Sequence, residues 1–194
     1  MRHWIFHPLI FYPLAIIAAA LLIGISLQPQ KWERPPAPVT AAQAENTLVY
    51  AGRAFDSPDP TPEQHMTVVR NFWGRPLALR IAVLPDQPAP TPNDQGVRLL
   101  MTPEDAARID DRPVTVEVTY NPSPVNAASG LAVSLQGGNA AAWVTQDAPP
   151  EPNTLRFELP ATAAVNAIGL RAISADRDQA SGIEITRIRV TPRA

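Results

Sequence analysis

From Leu9 to Leu27 the chain carries no charged residue, reading Leu-Ile-Phe-Tyr-Pro-Leu-Ala-Ile-Ile-Ala-Ala-Ala-Leu-Leu-Ile-Gly-Ile-Ser-Leu. At a helical rise of about 1.5 Å per residue this run reaches ~28 Å, close to the ~30 Å of a bilayer's hydrocarbon core. Trp4, Leu9 and Tyr12 mark one end of the span and Leu27 and Trp32 the other, with aromatic rings where a membrane interface would hold them. Pro8 suits a first helical turn, whereas Pro13 removes a backbone donor and is expected to bend it. A cleaved leader has a shorter apolar core followed closely by a small-x-small site. Gly24-Ile25-Ser26 is a poor site of that kind, and Ala42-Gln43-Ala44 lies far downstream. The expectation is a single uncleaved transmembrane anchor over residues 1–28. The short tail and long polar remainder favour tail in and domain out, which in a bacterium means the inner membrane and the periplasm. The preference for arginine, with Lys31 the one lysine, is the composition of a GC-rich bacterial genome and does not bear on orientation.

Residues 29–46 are rich in proline, including Pro35, Pro36 and Pro38, and proline-rich chain stays extended. A semi-rigid spacer is expected there. From Thr47 the pattern changes to short runs separated by turn residues. Val114, Val116, Val118 and Tyr120 alternate with polar residues, as do Leu155, Phe157 and Leu159, giving strands with one wet face. Further strands are expected over 48–55, 66–71, 77–84, 97–101, 131–135, 142–145, 167–174 and 183–190. In the last of these Ile183 and Ile185 share one phase and Ile188 and Val190 the other, so a bulge near Thr186–Arg187 is needed to bury all four. One short helix has a mechanism: Thr102 caps, Pro103 fits the first turn, and Glu104 and Asp105 favour the dipole's positive end. The remaining prolines fall between strands, where they keep sheet edges from pairing. The fold class expected for residues 47–194 is mostly β, an antiparallel β-sandwich of the jelly-roll type with one short helix.

The rhythm of the last third, with Trp143, then Leu155–Leu159, Ala167–Leu170 and the closing run Ile183–Val190, resembles galactose-binding-like and carbohydrate-binding-module sandwiches. The resemblance implies the jelly-roll fold and, more weakly, glycan binding, and it brings no site residues.

Composition narrows the chemistry. Among 194 residues there is no cysteine, which excludes disulfides, thiolate metal sites and a cysteine nucleophile. A formal net charge of −2 excludes the basic surface that nucleic acid requires. Of three histidines only His65 lies outside the apolar anchor, so imidazole metal clusters are excluded and no catalytic residue is assigned. Asp176 and Asp178 resemble part of a calcium loop, with Ala180 at the third alternate position, so a structural calcium is the one cofactor considered. Phe72-Trp73-Gly74-Arg75 forms a turn whose two rings cannot both point inward, making Phe72, Trp73 and Arg75 the expected ligand or partner contact. Tyr120, Trp143 and Phe157 are assigned to the core.

Two functions fit. One is an accessory subunit of an inner-membrane complex, with the helix packing on partner helices through Ala18–Ala20, Gly24 and Ser26 and the sandwich docking on their periplasmic face. The alternative is a tethered domain that binds carbohydrate or envelope glycan. Membrane lipid and membrane proteins are the expected partners, with glycan as a further one.

Overall fold

The uncharged run forms the helix α1, Pro8–Leu27, continuous through Pro13. Its residues are apolar around the whole circumference and none is buried. By length and composition it can cross a membrane. Its last turn closes on Gln28 in the left-handed region, and the Trp32 indole N–H donates to the Leu27 carbonyl at 3.1 Å, satisfying one of the orphan acceptors of a helix end. The computed structural model describes residues 7–28, 31–85, 87–88, 90–91, 93–138, 142–176 and 178–193; Trp4, Asn139 and Arg177 therefore lie outside the described residues. Residues 1–32 and 33–194 form separate compact units.

The second unit is mostly β. Its strands are β1 (Ala42–Ala44), β2 (Thr47–Ala51), β3 (His65–Arg70), β4 (Pro76–Val83), β5 (Val97–Leu100), β6 (Val114–Pro122), β7 (Gly130–Gln136), β8 (Val144–Asp147), β9 (Asn153–Leu159), β10 (Ala167–Ile173) and β11 (Ser181–Pro192). A short helix, α2 (Pro103–Ile109), follows β5. Among the described residues the strands form a seven-stranded sheet around β11 and a four-stranded sheet ordered β5-β10-β7-β8, all in antiparallel ladders. The apolar faces of both sheets meet in one core: Leu79, Ile81, Val118 and Ile185 from the large sheet pack with Leu99, Leu131, Val133 and Ile168 from the small one. Tyr120 and Phe157 lie in this core as expected.

β11 carries the architecture. Its first half pairs with β4 and its second half with β2, while β6 follows it on the other side. The register shifts between Ile185 and Arg187, where the apolar phase breaks, and Ile183, Ile185, Ile188 and Val190 are all buried. The Thr102 hydroxyl accepts from the Asp105 N–H at 3.4 Å and caps α2.

Three expectations change. The run 48–55 is not one strand: β2 ends at Ala51, and Gly52, at φ +53°, turns the chain into a 3-10 helix over Gly52–Phe55. The run 142–145 is shifted, since β8 begins at Val144. Most of the expected spacer is not free, because the body can satisfy its backbone groups. Arg34 pairs with Asp56, Ala37 donates to Ser57, Val39 bridges Met101, and 42–44 form β1. The Ala41 N–H donates to Asp105 Oδ2 at 2.7 Å, so this buried carboxylate does more than favour a helix dipole.

Tyr50 is fully buried next to Asp105, and burial first, then the carboxylate, pushes its phenol well above the ordinary range. The folded state holds that proton more tightly than the unfolded chain, so this stability is complete below the unfolded value of 10.0 and is lost as pH rises above it. Thermal melts of the full chain in detergent from pH 8 to 11 should decline beyond about pH 10, and Tyr50→Phe should flatten that alkaline limb. An unchanged slope in the variant would refute the assignment.

Candidate functional site

The outer face of the small sheet is polar. Leu131, Val133 and Leu135 of β7, and Ile168, Leu170 and Ala172 of β10, face the core. Alternation puts Ser134, Gln136, Gly169, Arg171 and the Arg98 of β5 on the opposite side. Register aligns Ser134, Gly169 and Arg98 in one row across three strands. Ser134, Gln136 and Arg171 are nevertheless buried, because segment 93–96 and Trp143 lie over them.

The cover is specific. The Arg171 guanidinium donates to the Asp94 carbonyl and sits 4.0 Å from the centre of the Trp143 ring. The Gln136 amide donates to the Gln95 carbonyl and makes a long, 3.5 Å contact to the Ser134 hydroxyl. Trp143 is thus outside the sandwich core, contrary to its expected place, and stacks on a cation instead. Gly169 makes room for it: a Cβ there would come within 2.9 Å of the indole and 2.5 Å of the Ser134 hydroxyl. Gly96 has φ +62°, and its Cβ would stand 2.9 Å from the same ring. Burial lowers the affinity of Arg171 for its proton, an effect opposed by Asp94 and Glu63.

A second segment, 59–64, borders this face. Asp59 and Arg98 exchange backbone hydrogen bonds of 2.8 and 2.9 Å, and the Asp59 carboxylate accepts from Arg98 Nε at 2.9 Å. Beyond the end of β5 the edge of β10 is taken up by a side chain: Gln64 donates to the Ala172 carbonyl at 2.6 Å and accepts from its N–H at 3.0 Å. Between segments 59–63 and 93–98 lies a cleft of about 320 Å³, walled by Asp59, Glu63, Asn93, Asp94, Gln95 and Arg98. Across the Pro60–Pro62 ridge, a larger cleft of about 520 Å³ runs beside β3 past His65, Met66 and Val68. His65 is exposed and shares a hydrogen bond of 3.2 Å with Thr67.

Among the described residues, Glu63 Oε2 on the wall of the smaller cleft is a buried acceptor with no hydrogen-bond partner, and Gln136 Oε1, Trp143 Nε1 and Arg171 Nε lack one on the covered face of the small sheet. Most buried polar atoms in folded proteins are paired, so the Glu63 oxygen on the cleft wall is an acceptor that a polar guest could satisfy. A hydrogen bond from the Thr91 N–H keeps the Asp94 carboxyl below its usual range, so it stays ionised.

The residues singled out from sequence fall elsewhere. Phe72, Trp73 and Arg75 are exposed at the β3–β4 turn, with the two rings edge to face at 5.1 Å and 84°. Asp176 and Asp178 are joined in a local turn, with the Asp178 N–H donating to Asp176 Oδ1 at 2.9 Å. Among the described residues no three His, Asp or Glu side chains are gathered as metal ligands. The cleft residues were not singled out from sequence, since each is an ordinary polar residue in a loop or on a strand.

No protein-family model matches the chain, and no curated protein matches its sequence. Solved structures with a similar arrangement include the CBM22-1 xylan-binding domain of Xyn10C from Paenibacillus barcinonensis, at 10% identity over 78% of this chain and 97% of that one, TM-score 0.47. Another is the apo CBM1 module of BiXyn10A, at 14% identity over 77% of this chain and 99% of that one, TM-score 0.46. A third is the CBM36-1 domain of a multidomain xylanase from the hindgut metagenome of Trinervitermes trinervoides, at 11% identity over 77% and 99%, TM-score 0.43. The body resembles carbohydrate-binding modules. With scores below one half, that likeness transfers neither ligand nor site residues.

Gly169→Ala should dislodge Trp143, costing about 1–3 kcal/mol in denaturant melts, the usual range for overpacking. Indole emission should shift to the red in the same variant, and native stability with native emission would rule out the seat described for Trp143.

Proposed function

We propose that the chain is a membrane-anchored, non-catalytic binding protein, held by α1 in a bacterial inner membrane with its β-sandwich in the periplasm. Its ligand is a hydroxyl-rich molecule, a sugar unit of an envelope glycan, taken into the cleft between residues 59–63 and 93–98. The observation that carries this reading is the unpartnered carboxylate oxygen of Glu63 on the wall of that cleft, which it shares with the polar side chains of Asp59, Asn93, Asp94, Gln95 and Arg98. Ionised carboxylates and guanidiniums accept from and donate to sugar hydroxyls, and charge-assisted bonds of this kind are the stronger ones. About 320 Å³ is at the lower end of ligand-site volumes and suits a small guest.

The accessory-subunit reading has α1 in its favour, with every residue exposed and small side chains at Ala18–Ala20 and Gly24. One experiment weighs the two. The full chain in mild detergent is titrated calorimetrically with periplasmic glycan fragments and screened on an immobilised glycan panel. Binding should weaken at least about tenfold in Glu63→Gln and Arg98→Ala, equivalent to roughly 1.4 kcal/mol for one lost charged contact. Absence of any glycan binding, together with a stoichiometric complex on native purification, would overturn the binding reading in favour of the subunit.

A further inference from the structure

The β3–β4 hairpin is the apolar outlier of the body. Phe72 is 56% exposed, Trp73 76% and Leu77 52%, and Val125 is the one other large apolar side chain that the described body leaves so open. These residues stand on a rigid support. The Asn71 N–H donates to the Arg75 carbonyl at 2.9 Å, Gly74 donates to the Asn71 carbonyl at 3.0 Å, and the Arg75 N–H donates to Asn71 Oδ1 at 2.9 Å. Gly74 takes φ +75°, which closes the turn. Below the turn, the buried Arg70 guanidinium pairs with Asp56 and donates to the Asp56 carbonyl at 3.1 Å and the Gly74 carbonyl at 3.3 Å.

The same Asp56 also receives Arg34, the first side chain of the body to be paired after α1. The chain from the helix therefore joins the body at the foot of this hairpin. Leu27 and Arg34 are seven residues apart, a reach of about 25 Å at full extension. Four guanidiniums, on Arg34, Arg53, Arg70 and Arg75, share this end with two carboxylates, Glu33 and Asp56, so it is cationic on a chain of net charge −2. Arg53 and Arg75 are exposed and make no salt bridge among the described residues.

We propose that the hairpin is a second membrane contact, seating Trp73 and Phe72 in the headgroup region of the anionic bilayer that α1 crosses, with Arg75 and Arg53 on lipid phosphates. Aromatic rings with flanking cations are the side chains that settle at that depth. The short reach of the tether keeps the tip at high local concentration near the surface, so weak contacts suffice. The contact rests on the anchor reading of α1 and is independent of the ligand in the polar cleft.

The chain has no cysteine, so a single introduced thiol carries a single spin label. Full-length Leu77→Cys and, separately, Trp73→Cys are labelled and placed in nanodiscs of phosphatidylcholine with phosphatidylglycerol. Val125→Cys is the reference; its loop lies beside Gly182, which pairs with Ala82, eight residues and about 26 Å along β4 from Gly74. Co-elution with the disc reports on the anchor. Power saturation with oxygen and a polar nickel chelate then reports on depth. Labels 77 and 73 should read several-fold higher oxygen-to-nickel accessibility than label 125, and adding Phe72→Ser to Leu77→Cys should return label 77 toward the aqueous value. Co-elution with all three labels equally aqueous would overturn the hairpin contact while leaving the anchor intact. Failure to co-elute would remove the anchor and the hairpin contact together.

Discussion

A strand bonded on both sides cannot leave a backbone donor or acceptor without a partner, and β11 meets that demand by changing neighbours along its length. β4 serves its first half, β2 its second, and β6 the other side from Ile183 to Pro192. The shift between Ile185 and Arg187 lets this exchange happen without turning the apolar side chains outward. Because β4 and β2 divide one edge of β11 between them, the chain that links β2 to β3 must leave the sheet in the middle. It does so through Gly52–Phe55 and the loops that follow. Both clefts border these loops, so the location of the candidate site follows from how the central strand is shared.

Local signals in the sequence recovered the strands well. The alternation of β6 and β9, the phase break in β11 and the cap of α2 each need only neighbouring residues to be recognised. The parts that were not legible depend on distant pairs. Gln64 meets Ala172 across 108 positions and Arg171 meets Asp94 across 77, and neither pair has a sequence signature. Trp143 shows the same difficulty: three preceding alanines suggest an interior, but a glycine on another strand and a guanidinium beside it provide a different seat. The proline-rich stretch 29–46 reads as a semi-rigid spacer because its composition resists a core, yet from Glu33 on it needs only a few backbone partners to lie against one.

Charge is distributed in the body according to task. Surface pairs such as Arg80 with Glu184 are open to water and contribute little to stability. Arg70 is different, since it is buried against Asp56 and breaking such a pair leaves an uncompensated charge. The same ion cluster braces the hairpin and fastens the incoming chain through Arg34.

The Gln64 amide has a consequence beyond the geometry of the cleft. It occupies the N–H and carbonyl of Ala172, where β10 would otherwise present an open edge. An open edge is a template on which other chains can assemble. A single side chain therefore acts as a plug against strand exchange between copies, and a lesion at this position would be felt as poor solubility.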